Sequence, residues 1–262
     1  MLPYYQFTTY HIGPVVLQVW GTFVALGFGA ALWLGFREAP KRRLDTDYFL
    51  SLSLWMVVFA LIGARLFYVL LFWGDYQGNL LQVLEVWNGG MVAYGGIIGA
   101  LVALYVFLRR HKLPILEYLD LVALVFPAGY AIGRIGCHLI RDHMGKLTNM
   151  PWGFVIAPGE VRHDTALYSI LGGIVLFAIF WFNRKRFRTP GVIALATAGL
   201  YALERMIIDN FRATDITGSD PRFYGFTLSQ YISALTVLFC AVTLFYLLRH
   251  KSSPEIREKP LD

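Results

Sequence analysis

The chain has 262 residues, of which 57% are hydrophobic, 16% aromatic and only 15% charged, where a soluble domain carries about 25% charged residues. With a mean hydropathy of +0.54, that composition excludes an ordinary soluble enzyme and favours a single membrane-embedded domain. The net charge of +6 does not argue for nucleic acid, because most basic residues fall in short segments between apolar runs, where they set topology and meet anionic lipid.

A crossing helix needs about 20 apolar residues. Seven runs meet or approach that length, at 14–36, 48–73, 93–108, 115–140, 165–183, 191–211 and 226–248. They predict an all-α polytopic membrane protein with about seven transmembrane helices. The third run is short and glycine-rich and is expected to enter the membrane as a bent or partial segment. Residues 1–250 read as one membrane domain and residues 251–262 as a disordered cytoplasmic tail. The first thirteen residues contain no Lys or Arg and so lack the basic start of a cleaved signal peptide. The two cysteines, Cys137 and Cys240, sit in apolar runs and form neither a disulfide framework nor a metal-binding spacing.

Charge alternates along the chain. Segments 37–47, 109–114, 184–188 and 249–262 hold fifteen Lys and Arg, whereas 1–13, 74–92, 141–163 and 212–225 hold five. The basic set faces the cytoplasm, which puts the N-terminus outside and the C-terminus inside.

Chemistry-bearing residues interrupt the apolar runs in five places. Arg65 lies within the second run, in Gly63-Ala64-Arg65. Trp87-Asn88-Gly89-Gly90-Met91 leads into Tyr94-Gly95-Gly96 and Gly99, a glycine density that permits unusual backbone angles. Gly95/Gly99 and Gly129/Gly133 repeat at four-residue spacing and either pack helices closely or shape a substrate site. Gly133-Arg134-Ile135-Gly136-Cys137-His138 runs on through Asp142 and His143 to Gly145. Arg205, Asp209 and Arg212 would share one face of a continuous helix. An arginine inside a span costs on the order of 3 kcal/mol on insertion scales and is a functional hypothesis by default. Arg205 and Asp209 read either as a buried structural ion pair or, together with Arg134, as an anion site towards the outer half of the membrane. Guanidinium groups keep their charge on desolvation and hold phosphate bidentately, so a phospholipid headgroup is the expected ligand.

These residues resemble the phosphatidylglycerol–prolipoprotein diacylglyceryl transferases of bacteria. Trp87 through Gly99 is similar to the family's W-D-G-G-M-x-x-H-G-G-x-x-G. Gly133 through Gly145 resembles its G-R-x-G-N-x-x-N-x-E-x-x-G, and Arg162-His163 with Leu167-Tyr168 its R-H-P-x-x-L-Y. Arg205 to Arg212 resembles its arginine–acid helix, and Thr227-Leu228-Ser229-Gln230 the start of its last span. The departures are Tyr94 for the family histidine, Cys137 and Ile140 for two asparagines, Asp142 for a glutamate, Trp20 for a tyrosine and Asp164 for a proline.

The resemblance implies transfer of a diacylglyceryl group from phosphatidylglycerol to the lipobox cysteine of a preprolipoprotein in the bacterial inner membrane, with release of glycerol phosphate. It implies Tyr94, Arg134, Asp142, His143 and Arg205 as catalytic residues. Arg134, Arg205, Asp209, Gly95, Gly96 and Gly133 are implied to bind substrate. Tyr94 is expected to donate a hydrogen bond to phosphate, since an unperturbed tyrosine is a poor base at neutral pH. His138, His143, His163 and Asp142 are the substitute bases, with His143 and Asp142 preferred and His138 expected to face lipid or a neighbouring helix. No nucleotide or metal motif is visible, so no cofactor is expected. Two other readings stay open: a lipid transferase with a different acceptor, and a non-catalytic protein that binds or transports phospholipid.

Overall fold

The computed structural model describes residues 2–3, 5–78, 80–85, 89–187, 189–216 and 219–250. Val86, Trp87 and Asn88 of the glycine-rich motif and the tail 251–262 lie outside the described residues. Helices α1 (Val19–Glu38), α2 (Thr46–Leu71), α4 (Ala93–Arg110), α5 (Ile115–Ile140), α6 (Thr165–Asn183), α7 (Val192–Ile208) and α8 (Leu228–His250) correspond to the seven expected spans. A four-residue helix α3 (Trp73–Tyr76) lies between α2 and α4. Six of the long helices have the length and composition to cross a membrane. Helix α7 has 17 residues and runs on into a 3-10 turn, Asp209–Phe211. The outward faces carry large apolar side chains such as Leu66, Leu101, Val175, Leu235 and Phe239, all exposed, as lipid-facing surfaces do. The protein is a helical, multi-pass membrane protein.

Three expectations are corrected. The first span starts at Val19, because Val15–Gln18 forms strand β3, paired with β2 (Thr9–Ile12) in a hairpin. The third span is a regular 18-residue helix; its glycines serve a close crossing, as shown below. Arg212 leaves the helical face it would share with Arg205 and Asp209, because the helix stops at Ile208 and Arg212 is extended. The Asn210 amide turns back onto the carbonyls of Met206 and Ile207, and Arg212 bridges to Gly145.

The chain divides into two compact units, residues 35–119 and residues 1–34 with 120–262. In the first, α2 lies against α4. A Cβ on Gly63 would fall 2.4 Å from the Gly95 carbonyl oxygen, and one on Gly99 would fall 2.1 Å from that of Phe59. Only bare backbone allows this approach. Arg65, buried within α2, holds the loop before α4. Its Nε donates to the Val83 carbonyl at 2.8 Å, Nη2 to Gln82 at 2.5 Å, and Nη1 to Gly89 at 2.6 Å and Gly90 at 3.1 Å. Gly89 and Gly90 have φ of 84° and 76°, which glycine adopts without steric cost.

In the second unit, Gly27 of α1 meets Gly129 of α5 backbone to backbone. Leu124, Leu176, Phe180 and Ile193 form a buried cluster among α5, α6 and α7. At one end of that cluster the buried Asp120 caps α7, accepting from the amides of Gly191 at 2.9 Å and Ala194 at 2.8 Å. At the other end, strands β1 (Leu2–Pro3), β4 (Met144–Leu147), β5 (Phe154–Ala157) and β6 (Glu160–Asp164) form a sheet in the order β1-β5-β6-β4. A small hairpin of β7 (Arg222–Phe223) and β8 (Phe226–Thr227) precedes α8.

Candidate functional site

The site is built where α5 ends and the sheet begins. Tyr130, Arg134, Cys137 and His138 follow one another at helical spacing along α5. The Arg134 guanidinium lies 5.2 Å from the centre of the Tyr130 ring. Its Nη1 is 4.0 Å from the Cys137 sulfur and 3.5 Å from His143 Nε2.

Arg141 then turns the chain out of the helix with φ of 55°, a conformation that costs a non-glycine residue energy. Its side chain compensates. Buried, Arg141 donates to the Tyr5 carbonyl at 3.1 Å, pairs with Asp164 and stacks over Tyr5 and Phe154. The turn delivers Asp142 and His143 beside Arg134. His143 Nδ1 bonds the Asp142 carboxylate, and the Thr165 hydroxyl fixes the His143 carbonyl at 2.9 Å. With Nδ1 donating to Asp142, Nε2 keeps its lone pair and faces Arg134.

The other two histidines named from sequence are already engaged. His138 Nδ1 lies 2.7 Å from Asp164 and its Nε2 lies 3.1 Å from the Tyr5 hydroxyl. It faces this polar network rather than lipid. His163 Nδ1 lies 2.6 Å from the Tyr168 hydroxyl, which accepts from the Trp152 indole at 3.0 Å. That leaves the hydroxyl proton for His163, which therefore accepts as a neutral ring. Burial holds its pKa below the usual histidine value. Arg162 is structural: its guanidinium grips Asp215 through two bonds of 2.9 and 2.8 Å and Glu160 through one of 2.6 Å. That grip holds the Asp215 carboxyl down at about 2. Asp164, which replaces the motif's proline, caps α6 by accepting from the amides of Ala166 and Leu167.

Arg205 and Asp209 meet from α7 and the turn after it. Asp209 is fully buried; its Oδ1 lies 3.0 Å from Arg205 Nη2, and its Oδ2 accepts from the Thr227 hydroxyl at 2.9 Å. Ser229 takes Arg205 Nε at 3.1 Å. Thr227 and Gln230 cap α8 reciprocally: the Gln230 side chain accepts from the Thr227 amide and the Thr227 hydroxyl from the Gln230 amide. Arg212 pairs with Asp220 at 2.9 Å. Its guanidinium is pushed below the usual arginine value, first by burial, then by Arg205 and Arg134, against the pull of Asp220 and Asp209. The guanidinium groups of residues 134, 205 and 212 therefore share one electrostatic environment. Asp209 and Asp220 offset part of that positive charge, and guanidinium groups so placed suit a phosphate.

This chain matches the family model described as prolipoprotein diacylglyceryl transferase over residues 8–246. The chain belongs to the prolipoprotein diacylglyceryl transferase family. Among similar proteins, the phosphatidylglycerol–prolipoprotein diacylglyceryl transferase of Thermosynechococcus vestitus is 34% identical over 215 residues, 78% of this chain and 80% of its own length. Those of Chromohalobacter salexigens and Pediococcus pentosaceus are 34% identical over 210 residues and 30% identical over 261 residues. The former alignment covers 78% of both chains, and the latter 94% of this chain and 91% of its relative.

Against the transferase motifs, the structure groups Arg134, Asp142, His143, Arg205 and Asp209 in the unit formed by residues 1–34 and 120–262. Gly133 lies there too, and a Cβ on it would meet nothing within 4 Å. Tyr94, Gly95 and Gly96 lie in the first turn of α4, in the other unit. Gly95 is taken up by the crossing with α2, while Gly96 makes looser contact with Ala60 and Ala64.

Sequence reasoning missed Tyr130 and Glu204. Both Glu204 carboxylate oxygens are buried without a hydrogen-bond partner, pressed against Gly172 of α6, in the electrostatic reach of Arg134, Tyr130 and Arg205. An acid next to an arginine reads in sequence as one polar spot. Adjacent residues of a helix point about 100° apart, however, so Glu204 is an acid on a separate face from Arg205.

Proposed function

We propose that this chain transfers the diacylglyceryl group of phosphatidylglycerol to the lipobox cysteine of a preprolipoprotein and releases glycerol phosphate. The reaction takes place towards the outer leaflet of the bacterial inner membrane. Residues 1–250 act as one membrane-embedded domain, with the N-terminus outside and the C-terminus cytoplasmic. The observation that carries the reading is the Arg134 guanidinium set beside an Asp142–His143 pair, with Arg205 held by the buried Asp209, within a chain of this family.

Arg134 and Arg205 hold the phosphate, and Asp209 sets the direction of Arg205. Preorganised cations lower the barrier by meeting charge where it grows on the leaving phosphate. The acceptor thiol, with an ordinary pKa of about 8.5, gives its proton to His143 Nε2, while Asp142 keeps the tautomer that makes Nε2 the acceptor. The bare face at Gly133 leaves room for substrate. Tyr94, at the motif's histidine position, and Gly95 and Gly96 beside it in the first turn of α4 are assigned to the substrate side by the motif alone.

The test is mass spectrometry of a lipobox peptide incubated with purified protein and phosphatidylglycerol. The expected result is a diacylglyceryl mass increment that Arg134→Ala reduces by about 10²–10³-fold. Absence of the increment from the wild type, with phosphatidylglycerol still bound through Arg134, would overturn transfer to this acceptor. The replacement of the family histidine by Tyr94 favours, in that event, a lipid transferase with another acceptor or a phospholipid-binding protein.

A further inference from the structure

Glu204 is the one acid in this unit that the mechanism above leaves without a task and that has both oxygens buried without a hydrogen bond among the described residues. Such a group inside a membrane helix is costly and has no packing advantage over an apolar side chain. The fold nonetheless makes space for it. Gly172 stands where any side chain would collide, since a Cβ there would fall 2.3 Å from both Glu204 Cδ and Oε1. The groups that face the carboxyl are Tyr130 and Arg134 from α5 and Arg205 from its own helix, while α6 contributes the backbone of Gly172. Tyr130 in turn lies under the Arg134 guanidinium at 5.2 Å. Glu204 thus stands beside the phosphate-holding arginine, as does His143, whose Nε2 is 3.5 Å from Arg134.

The chemistry leaves one proton to be placed. Sulfur bonds to the terminal glyceryl carbon as the bond between that carbon and the phosphate oxygen breaks. The thiol proton goes to His143. The departing glycerol phosphate is a phosphomonoester whose second ionisation lies near pH 6. Releasing it as a dianion into a buried site costs more than releasing it as a monoanion.

We infer that the Glu204 carboxyl is the proton donor to the departing phosphate oxygen. Its proton moves to that oxygen as the carbon–oxygen bond breaks, and the proton taken up by His143 later restores Glu204, so the cycle consumes and releases no net proton beyond the thiol's. The inference rests on the transfer reading given above.

The experiment measures diacylglyceryl transfer to a lipobox peptide by wild-type protein, Glu204→Gln and Glu204→Asp in phosphatidylglycerol mixed micelles from pH 5.5 to 9. In the wild type, kcat is expected to fall on the alkaline side as the donor loses its proton. Glu204→Gln, close in shape but unable to give a proton, should lower kcat by about 10²–10⁴-fold, remove the alkaline fall, and leave KM for phosphatidylglycerol within about threefold. Glu204→Asp should restore part of the rate and the alkaline fall. The inference is overturned if Glu204→Gln keeps wild-type kcat, if it retains the alkaline fall, or if kcat and phosphatidylglycerol binding are lost together, since the last marks a merely structural role. A wild-type protein that transfers nothing sinks the function reading and this inference with it, whereas wild-type transfer with an unaffected Glu204→Gln sinks this inference alone.

Discussion

His143 serves as a base through Nε2 only while Asp142 holds its Nδ1 proton, because the opposite tautomer leaves no lone pair on Nε2. His143→Gln should therefore lower kcat for transfer by about 10²–10³-fold, and Asp142→Asn by less, with little change in KM for phosphatidylglycerol. A large rise in KM with unchanged kcat would instead assign the pair to lipid binding. His163 gives a separate prediction about stability. Its folded pKa is lowered by burial, and its ring accepts from the Tyr168 hydroxyl as a neutral group. Above pH 6.5 it is neutral both folded and unfolded, so its contribution is complete there. Below pH 6.5 the unfolded chain takes the proton first, and stability is lost as pH falls towards the folded pKa. Thermal unfolding in detergent should show a smaller loss between pH 7.5 and 5.5 for His163→Gln than for the wild type; equal losses would remove His163 as the source.

Glycines set the spacing between elements, and they are not equivalent. Gly99 lies against the Phe59 carbonyl and Gly129 against that of Gly27, where an added Cβ would fall 2.1 and 2.9 Å from the oxygen, whereas a Cβ on Gly133 meets nothing within 4 Å. Gly99→Ala should destabilise by about 1–3 kcal/mol through overpacking, Gly129→Ala by less, and Gly133→Ala should leave the melting temperature nearly unchanged. Similar melting temperatures for Gly99→Ala and Gly133→Ala would contradict the described α2–α4 crossing. The start of α8 carries a second element-scale prediction. Thr227→Ala removes the α8 cap and also a hydrogen bond to the fully buried Asp209, and should cost about 1–3 kcal/mol. The same change should raise KM for phosphatidylglycerol, because Asp209 orients Arg205; an unchanged KM would separate the cap from the site.

At the scale of the whole molecule, the distribution of Lys and Arg sets the expected orientation. Segments 37–47, 109–114 and 184–188 should be closed to a membrane-impermeant thiol reagent in intact cells, and the sheet residues of 141–163 open to it, when single cysteines are placed there in a Cys137→Ala, Cys240→Ala background. The reverse pattern would invert the topology and move the arginine cluster to the cytoplasmic half.

Run length and motif order determined most of the helical architecture from the sequence alone. A bilayer demands long apolar helices whatever their packing, and α5 and α6 span the very residues expected for them. Arg134, Arg205 and Asp209 were equally legible, since a charge in an apolar run stands out locally. Only the tertiary structure decided which titratable groups are free. It showed that Asp164 engages His138, that Tyr168 engages His163, that α7 ends before Arg212, and that the two Glu204 carboxylate oxygens are buried. Those outcomes depend on partners brought from distant parts of the chain and on a single left-handed turn at Arg141. Neither leaves a periodic trace in the sequence, because hydrogen-bond partnership is a property of distance in space and not of spacing along the chain.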